Sequence, residues 1–372
     1  MHVLFVTRKF PPQTGGMETL AKDTYDALLA GGSRVTLLRN VRSDWASWWW
    51  LPLTLWRMAR VIRTDRPDVV LLGDALMNAV ATKLLRVFHV PHATMVMGLD
   101  VTFDSSVYRK IVVRHLRAAP LIIAISNATA TAVRAAGVEE DHLTVLRLSV
   151  EPPPDMAPRE QARAELRERL GVGPGTAVLV TLGRLVRRKG VAWFVAQVLP
   201  HARRDVVHLV AGAGPAEDRI RRVARSKGLQ DSVRLLGRVS SADRELLLRG
   251  ADLFVQPNIH VYGDMEGFGL VNVEAAVRDL PVLAADIEGI PDAVVDGETG
   301  WLVTSQDAPR WRARLDEVLA DLDALQATGK TFGDTARELY SPQRFARTLH
   351  DMLQQVATGG TTAVELHAAR NK

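Results

Sequence analysis

The sequence alternates short apolar runs with amphipathic stretches, and it does so twice along its 372 residues. Each run has the length and composition of a buried strand, and each stretch that follows has the spacing of a helix. Strands that alternate with helices form a parallel sheet that is covered on both faces. The sequence therefore predicts an α/β protein. The runs of the first set are HVLFVT, RVTLLR, PDVVLLGD, HATMVMG, LIIAIS and LTVLRLS.

A proline-rich segment, VEPPPDMAPRE at residues 150–160, separates the two sets. Its prolines disfavour a helix and make a semi-rigid spacer. The pattern predicts two doubly wound domains, with a cleft between them and ligands at the carboxyl ends of the strands. The tail from Ala308 to Val356 is predicted to be helical. The runs of the second set are AVLVTLGRL, VVHLVAGAG, VRLLGRV, ADLFVQPN, PVLAAD and GWLV.

Composition excludes several kinds of site. The absence of cysteine rules out disulfides, thiolate nucleophiles and cysteine metal sites, and it suits a reducing compartment. No uncharged stretch reaches the roughly 20 residues that a bilayer span requires, and the amino terminus lacks the apolar core of a secretory signal. We therefore expect a cytoplasmic protein.

Charge is distributed unevenly along the chain. Residues 1–150 hold 18 Lys and Arg against 12 Asp and Glu, whereas the remainder holds 29 against 30. A basic first half suits an anionic partner, such as a membrane surface or a phosphorylated acceptor. A solvated surface with a mild excess of arginine fits the same counts.

Basic residues follow the first apolar run of the second set. In TLGRLVRRKG, Gly183 and Arg184 end the run and Lys189 comes five residues after Arg184. An arginine and a lysine at the end of a strand suit the two phosphates of a diphosphate. An ordinary solvated turn has the same composition, so this motif alone does not decide between a site and a turn.

The stretch EGFGLVNVE places Glu266 and Glu274 eight positions apart, with Gly267 and Gly269 between them. The glycines let the backbone approach a ligand closely. The amides of residues 268–271 would open a helix, whose positive end binds phosphate. Taken alone, the two glutamates are better explained as a helix cap and a charge on a helix surface.

Together these motifs resemble one family. GRLVRRKG, followed by EGFGLVNVEAAVRDLPVLAADIEGIPDAVVDGETGWLV, is similar to the donor half of the family 4 glycosyltransferases. FPPQTGGMETLAKDTYDALLAGG is similar to the first loop and helix of that family. The resemblance covers nearly the whole chain. It implies the GT-B fold, in which two Rossmann-like, doubly wound parallel-sheet domains face a cleft, and a retaining, metal-independent hexosyltransferase.

The resemblance also implies a division of labour. Residues 1–152 would bind the acceptor, residues 153–340 would bind the nucleotide-sugar donor, and a C-terminal helix with its tail, 341–372, would return to the first domain. The donor would be a nucleotide-diphosphate sugar, with GDP-mannose favoured and a UDP-sugar next. QPNIHVYGDMEGFGLV is nearest to mannosyltransferases that act on lipid-linked acceptors, so the acceptor would be a hydroxyl of a lipid-linked, glycan or small molecule. No cofactor or metal is implied, and the D-x-D of Asp321 and Asp323 is predicted to lie on a solvated helical face.

Individual residues take roles from the resemblance. Arg184 and Lys189 would neutralise the donor diphosphate. Glu266 would contact the transferred sugar, and Glu274 would hold the ribose. Gly16, in the TGG loop, would lie near the donor phosphate and the acceptor. The other donor-binding residues would be Gly183, Arg238 near the nucleobase, Gly267, Phe268, Gly269, Leu270 and Val271.

The chain departs from the family at one position. Where the family usually carries a His-Gly pair, this sequence has Met97 and Gly98, and methionine cannot hydrogen-bond a sugar hydroxyl as histidine does. His92 lies too far upstream to substitute. Three explanations stay open: the donor sugar lacks or alters the hydroxyl concerned, Asp100 takes the role, or catalysis has been lost. The acceptor or sugar side is therefore assigned to Met97, Gly98 and Asp100.

Tryptophans and arginines cluster in WASWWWLPLTLWRMARVIRTDRP. Trp48, Trp49 and Trp50 precede Arg57 and Arg60 in a predicted helix, along which arginines recur every three residues as far as Arg66. Aromatic rings beside a basic face suit a membrane interface or a lipid-linked acceptor, so we expect peripheral contact at the inner face of the membrane. The alternative is a helix that packs in the core with its arginines in water.

Other classes of function fit less well. A catalytically silent nucleotide-sugar or glycan binding protein is favoured only by Met97. A nicotinamide-dependent enzyme is disfavoured because LVAGAGPAEDRI lacks the third glycine of the dinucleotide fingerprint. Nucleic acid is not an expected partner, because the aromatic residues cluster in one stretch and no recognition motif is present.

Overall fold

The computed structural model describes residues 1–13, 15–40, 47–102, 106–152 and 158–359. The chain forms two compact units. The first takes in Met1–Ser149 and the chain from Pro342 onward, and the second takes in Val150–Ser341.

The first unit is built on a six-stranded sheet in which all the strands are parallel. Its strands are β1 (His2–Thr7), β2 (Arg34–Arg39), β3 (Val69–Leu72), β4 (His92–Val96), β5 (Leu121–Ala124) and β6 (Leu143–Val145). Every residue is buried in all of these except the edge strand β2, as a sheet covered on both faces requires. The helices between them are α1 (Gly16–Ala30), α2 (Ser47–Asp65), α3 (Ala75–Phe88), α4 (Gly98–Thr102), α5 (Ser106–Leu116) and α6 (Asn127–Ala135).

The strands of the first unit lie in the order β2-β1-β3-β4-β5-β6. Because β2 and β3 lie on opposite sides of β1, the winding reverses between β1 and β3. Ligands of doubly wound sheets bind outside the carboxyl ends of the strands at such a switch point. Arg8 follows β1 there, and Asp74 follows β3 and caps α3 by accepting the amide of Met77 at 2.9 Å.

The second unit is also built on a six-stranded parallel sheet. Its strands are β7 (Ala177–Leu182), β8 (Val206–Ala211), β9 (Val233–Gly237), β10 (Leu253–Gln256), β11 (Val282–Asp286) and β12 (Trp301–Thr304). They lie in the order β12-β11-β10-β7-β8-β9, which is the Rossmann order with its switch point between β7 and β10. The helices are α7 (Arg159–Leu170), α8 (Val191–Gln197), α9 (Glu217–Ser226), α10 (Ser241–Gly250), α11 (Leu270–Ala276), α12 (Ile290–Ala293), α13 (Ala308–Val318) and α14 (Leu322–Leu339).

Helix α7 was not predicted from the pattern of apolar residues, because it is mostly charged. Its arginines hold it in place. Arg163 and Arg167 lie 2.8 and 2.7 Å from the two carboxylate oxygens of Asp252, which is buried just before β10. The same carboxylate accepts the amide of Val178 at 2.8 Å. Ion pairing to the interior thus fixes a helix that hydrophobic periodicity does not reveal.

The last helix, α15 (Pro342–Ala357), belongs to the first unit and packs against α1. Its apolar residues recur every three or four positions and form one buried face, as expected of an amphipathic helix. The predicted tail beyond residue 359 lies outside the described residues. The buried residues of α15 are Phe345, Ala346, Leu349, Met352, Leu353 and Val356.

Two local predictions are corrected by the structure. Gly16 is the first residue of α1, with Gly15 as its N-cap residue, rather than part of a loop. The arginine spacing predicted a helical face that continues to Arg66, but α2 ends at Asp65 and Arg66 has a φ of 45°. None of the helices in the described ranges combines the length and the apolar character that a bilayer crossing requires.

Candidate active site

Two loops meet at the switch point of the second unit. One runs from β7 through residues 183–190, and the other runs from β10 through residues 257–269. Gly190 has a φ of 67°, and a Cβ there would overlap the carbonyl oxygen of Pro257. The amide of Ile259 donates to the carbonyl of Arg188 at 2.8 Å. The glycine after Lys189 is therefore required for the two loops to pack backbone against backbone.

The carboxylate of Glu266 is the centre of this arrangement. Its Oε2 lies 2.5 Å from the ammonium of Lys189 and 2.9 Å from the guanidinium of Arg188, and it accepts a hydrogen bond from the side-chain Nδ2 of Asn258 at 3.0 Å. Within the described residues, its Oε1 accepts no hydrogen bond. Burial opposes ionisation, but Lys189 and Arg188 outweigh it and hold the pKa of Glu266 below its usual value. The result is an ionised carboxylate, fixed through one oxygen.

Further contacts hold the backbone of Glu266. Its amide donates to Oε2 of Glu288 at 2.6 Å, and burial raises the pKa of Glu288. A Cβ at Gly289 would overlap the carbonyl oxygen of Gly267, so the loop before α11 rests directly on that glycine. Arg188 is anchored at its other end by Asp264, at 2.9 Å. The site is therefore supported on both sides of Glu266.

Arg184 differs from Lys189 in its surroundings. It follows Gly183, which has a φ of 137°, and its side chain is exposed. In the described part of the chain, its guanidinium makes no hydrogen bond or ion pair. Of the two predicted diphosphate ligands, Lys189 is already paired with Glu266, whereas Arg184 is free to meet an anion.

The start of α11 offers backbone donors. Gly269 is the N-cap residue, with a φ of 82°, and its carbonyl accepts the amide of Asn272 at 2.9 Å. Across the described residues, the amides of Leu270 and Val271 find no protein acceptor, as expected of the first residues of a helix. Phe268 contributes only its backbone, because its ring is 2% exposed. That ring packs edge-on against Tyr340, with the centroids 6.3 Å apart.

The remaining predicted donor residues are spread along the carboxyl edge of the sheet. Glu274 lies on α11, one turn beyond the start, and its carboxylate forms an ion pair with Arg244 of α10. Arg238 is exposed and follows the edge strand β9 after Gly237, whose φ is 65°.

The D-x-D of Asp321 and Asp323 has a structural use, because Asp321 caps α14 by accepting the amides of Asp323 and Ala324 at 2.9 and 3.0 Å.

The sequence reasoning missed three partners in this site, namely Arg188, Asn258 and Arg244. The available signal for Arg188 was its place beside Lys189 in the RRKG run, and the signal for Asn258 was its place two residues after β10. Arg244 had no such signal, because it lies in the middle of a predicted helix.

In the first unit, the predicted sugar-side residues follow β4. Met97 is half-buried, Gly98 begins α4, and Asp100 is 6% exposed. Oδ2 of Asp100 accepts the amide of Met97 at 2.9 Å, so this carboxylate fixes the turn in which the family usually carries histidine. His92 is buried within β4, where burial lowers its pKa, so it does not substitute.

Asp100 belongs to a charged group at the switch point of the first unit. Arg8 pairs with Asp74 at 2.9 Å, and the charges of both residues act on the carboxyl group of Asp100. Burial, with a smaller effect of Asp74, raises the pKa of Asp100 to about 7. Burial, followed by the charge of Asp100, raises the pKa of Tyr108 to about 12. Asp100 therefore titrates near neutral pH.

Helix α2 presents a mixed aromatic and basic surface. Trp56 is 58% exposed with Arg60 over its ring, 5.8 Å from the centroid, and Arg57 is also exposed. Trp50 differs from expectation. It packs against the apolar cluster of the first unit and donates from Nε1 to the carbonyl of Arg39 at 3.3 Å. The side chains of Trp48 and Trp49 lie outside the described residues.

Comparison with known proteins identifies the family. Residues 1–149 match the model of a glycosyl transferase 4-like domain, and residues 162–333 match that of the glycosyl transferases group 1. With the two six-stranded parallel sheets, these matches show that the chain belongs to glycosyltransferase family 4 and has the GT-B fold. The α/β class and the pair of Rossmann-like sheets predicted from the sequence are thereby confirmed.

Curated relatives agree with this assignment. The chain is similar to a GDP-mannose-dependent alpha-(1-6)-phosphatidylinositol monomannoside mannosyltransferase of Mycolicibacterium smegmatis. The two are 32% identical over 210 residues, and this aligned region covers 51% of this chain and 54% of the relative. It is also 27% identical over 291 residues to a putative colanic acid biosynthesis glycosyltransferase of Salmonella typhimurium. That aligned region covers 76% of this chain and 69% of the relative. The chain thus spans about half the length of the mannosyltransferase that it matches.

Solved structures share the fold at low sequence identity. Anabaena HepE in complex with UDP matches with a TM-score of 0.75 at 19% identity, over 95% of this chain and all of HepE. Sucrose-phosphate synthase from Thermosynechococcus elongatus matches with a TM-score of 0.76 at 18% identity, over 96% and 99% of the two chains.

Proposed function

We propose that this protein is a retaining, metal-independent hexosyltransferase. It would move a sugar from a nucleotide-diphosphate sugar to a hydroxyl of a lipid-linked, glycan or small-molecule acceptor. The observation that carries the proposal is the buried contact of Lys189 with Glu266 at the switch point, with the free guanidinium of Arg184 on the same loop. GDP-mannose is the favoured donor because of the GDP-mannose-dependent relatives, and a UDP-sugar comes next because HepE was solved with UDP.

The leaving group in this reaction is a nucleoside diphosphate. Arg184 and Lys189, with the free amides of Leu270 and Val271, would stabilise the negative charge that develops as the glycosidic bond breaks. Lys189 has three donor hydrogens, so it can meet a phosphate oxygen while it holds Glu266. Loss of either cation would cost about 3 kcal/mol of transition-state stabilisation, as for a donor in an oxyanion hole.

Glu266 and Glu274 would fix the two ends of the donor. The free Oε1 of Glu266 would accept a hydroxyl of the transferred sugar, because Oε2 is already occupied by three donors. Glu274 would accept the ribose hydroxyls. Its carboxylate has a second oxygen for this while the other stays on Arg244.

The acceptor hydroxyl would attack the oxocarbenium-like sugar on the face that the diphosphate leaves. The new glycosidic bond therefore keeps the configuration of the donor, without a protein nucleophile. The proton of the hydroxyl would pass to the departing phosphate. The first unit would bind the acceptor, with Asp100 on the sugar side in place of the family's histidine.

A lipid-linked acceptor would bring the protein to a membrane surface. Trp56, Arg57 and Arg60 of α2 form an exposed aromatic and basic patch that suits anionic headgroups. We therefore place the protein in the cytoplasm with peripheral contact at the inner face of the membrane. The competing interpretation is that the rest of α2 also packs in its own unit, as Trp50 does, with its arginines in water.

The test of this proposal is the release of nucleoside diphosphate. The purified protein would be incubated with GDP-mannose, UDP-glucose and ADP-glucose, each with and without a membrane lipid extract as the acceptor source. We expect release from one donor, stimulated by the extract and lost in Glu266→Gln. Binding of a donor without any release would instead favour the second candidate, a catalytically silent nucleotide-sugar binding protein, which the methionine at position 97 supports.

A further inference from the structure

A cavity of about 240 Å³ lies in the second unit, between α8 and α9, and part of its lining comes from the two loops of the candidate site. Its walls are largely apolar, and two arginines also line it. The cavity is smaller than the pockets of about 300–1,000 Å³ that enclose whole drug-sized ligands, so it suits one part of a ligand. The lining residues used below are Arg187, Val191, Trp193, Arg219, Ile220 and Ile259.

The protein does not neutralise the positive charge of the two arginines that line this cavity. Arg187 and Arg219 are exposed, and among the described residues neither forms an ion pair or a hydrogen bond. The described residues of the lining include no carboxylate. Arg188, by contrast, is already paired with Asp264 and Glu266. Two guanidinium groups beside one cavity, always charged and without a partner, form a site for an anion with several oxygens.

The apolar wall is fixed in place. The ring of Trp193 packs edge-on against that of Trp311, with the centroids 5.9 Å apart, and it is itself only half-buried. Val191 and Ile220 are 3% and 1% exposed, so the floor of the cavity belongs to the core of the unit. A ligand that fills the cavity would therefore cover a preformed apolar surface.

We propose that this cavity binds an organic phosphate, with the phosphate between Arg187 and Arg219 and a short apolar group against Trp193. Arg187 opens the 3-10 turn Arg187–Lys189, whose last residue holds Glu266. The ligand would thus contact the same loop that carries Lys189.

Calorimetric titration with hexyl phosphate tests the cavity directly. Hexyl glucoside supplies the same apolar chain without the charge, and inorganic phosphate supplies the charge without the chain. We expect hexyl phosphate to bind at least about tenfold more tightly than either, because hexyl glucoside lacks the charge that meets the arginines and inorganic phosphate lacks the chain that covers the apolar wall. Arg187→Ala and Arg219→Ala should each weaken it about tenfold or more. Arg222→Ala, one turn along α9 and outside the cavity, is the matched control and should leave it unchanged.

Several results would overturn this site. These are the absence of binding, equal binding of hexyl glucoside, equal binding of inorganic phosphate, or an affinity that neither arginine variant lowers. The donor site is read separately by titrating GDP and UDP into the same protein. Nucleotide binding without hexyl phosphate binding overturns the cavity alone, and hexyl phosphate binding without nucleotide binding overturns only the donor assignment.

Discussion

Lys189 and Glu266 are joined at 2.5 Å although they come from loops that follow two different strands, β7 and β10. These strands are neighbours in the sheet but are separated by two strand–helix units in the chain. The contact therefore forms only when the switch point of the sheet is assembled. It places the first glutamate of the EGFGLVNVE stretch, as a fixed carboxylate, beside a loop that carries four basic residues.

The contacts around Lys189 and Glu266 predict that replacing one partner lowers the free energy of unfolding more than replacing the other. Glu266→Gln leaves Lys189 and Arg188 side by side without the shared carboxylate, whereas Lys189→Met leaves Glu266 with Arg188 and Asn258. Breaking a buried ion pair costs about 3–5 kcal/mol when a charge stays unpaired. We expect Glu266→Gln to approach this range and Lys189→Met to cost less, with the double variant below the sum of the two. Urea unfolding of the four proteins measures this.

A surface ion pair is the control for that cycle. Glu317 pairs with Arg314 on α13, and its side chain is 65% exposed. Glu317→Gln should change the free energy of unfolding by less than about 0.5 kcal/mol. Equal costs for Glu266→Gln and Glu317→Gln would contradict the buried network.

Gly190 is predicted to be intolerant of any side chain. Gly190→Ala combines a positive φ with an overlap on the carbonyl of Pro257, so the two loops must move apart. A strained backbone position of this kind costs about 1–3 kcal/mol, and the overlap adds to it. We expect a lower thermal midpoint and weaker nucleotide binding. Gly173→Ala, where a Cβ meets nothing within 4 Å, should leave both unchanged.

Asp100 predicts a dependence of stability on pH. Its pKa is raised to about 7 in the folded protein, against an ordinary value near 4, so the folded state binds the proton more tightly than the unfolded state. Stability should therefore be greatest in acid as far as this group is concerned, and it should fall as the pH rises from about 4 to 7, by about 2 kcal/mol or more. Asp100→Asn should flatten this fall.

The pH effect is measured by urea unfolding at pH 5 and pH 8. Other groups titrate in the same interval, so the quantity of interest is the difference between wild type and variant. Asp141→Asn, an exposed substitution in the same unit, should retain the slope of the wild type. A slope in Asp100→Asn equal to that of the wild type would show that Asp100 does not titrate there.

The fold was predictable because parallel strands buried on both faces read as continuous apolar runs. HVLFVT coincides with β1 and LIIAIS begins with β5, and both strands are buried throughout. Helix α7 was not predictable in this way, because only Ala162 and Leu166 of its residues are buried and ion pairs to Asp252 hold it. Trp50 shows the same limit, since composition does not tell a packed ring from an exposed one.

The candidate site could be located from the sequence because its charged residues lie in loops that follow apolar runs. Arg184 and Lys189 lie in the loop after β7, and Glu266 lies in the loop after β10, at the carboxyl edge of the sheet. Which cation is paired and which is free depends on contacts between loops that are distant in the chain. For the same reason, the pairing of Glu274 with Arg244 could not be read from either helix alone.

The central claim is that the switch point of the second unit binds a nucleoside diphosphate through Arg184 and Glu274. Calorimetric titration with GDP, UDP and ADP tests it, using wild type, Arg184→Ala, Glu274→Ala and a control, Arg203→Ala. The side chain of Arg203 is 87% exposed and pairs with Asp316 of α13. We predict selective binding of one nucleotide, weakened about tenfold or more in the first two variants and unchanged in Arg203→Ala. Absence of nucleotide binding, or binding that neither Arg184→Ala nor Glu274→Ala weakens, would contradict the account.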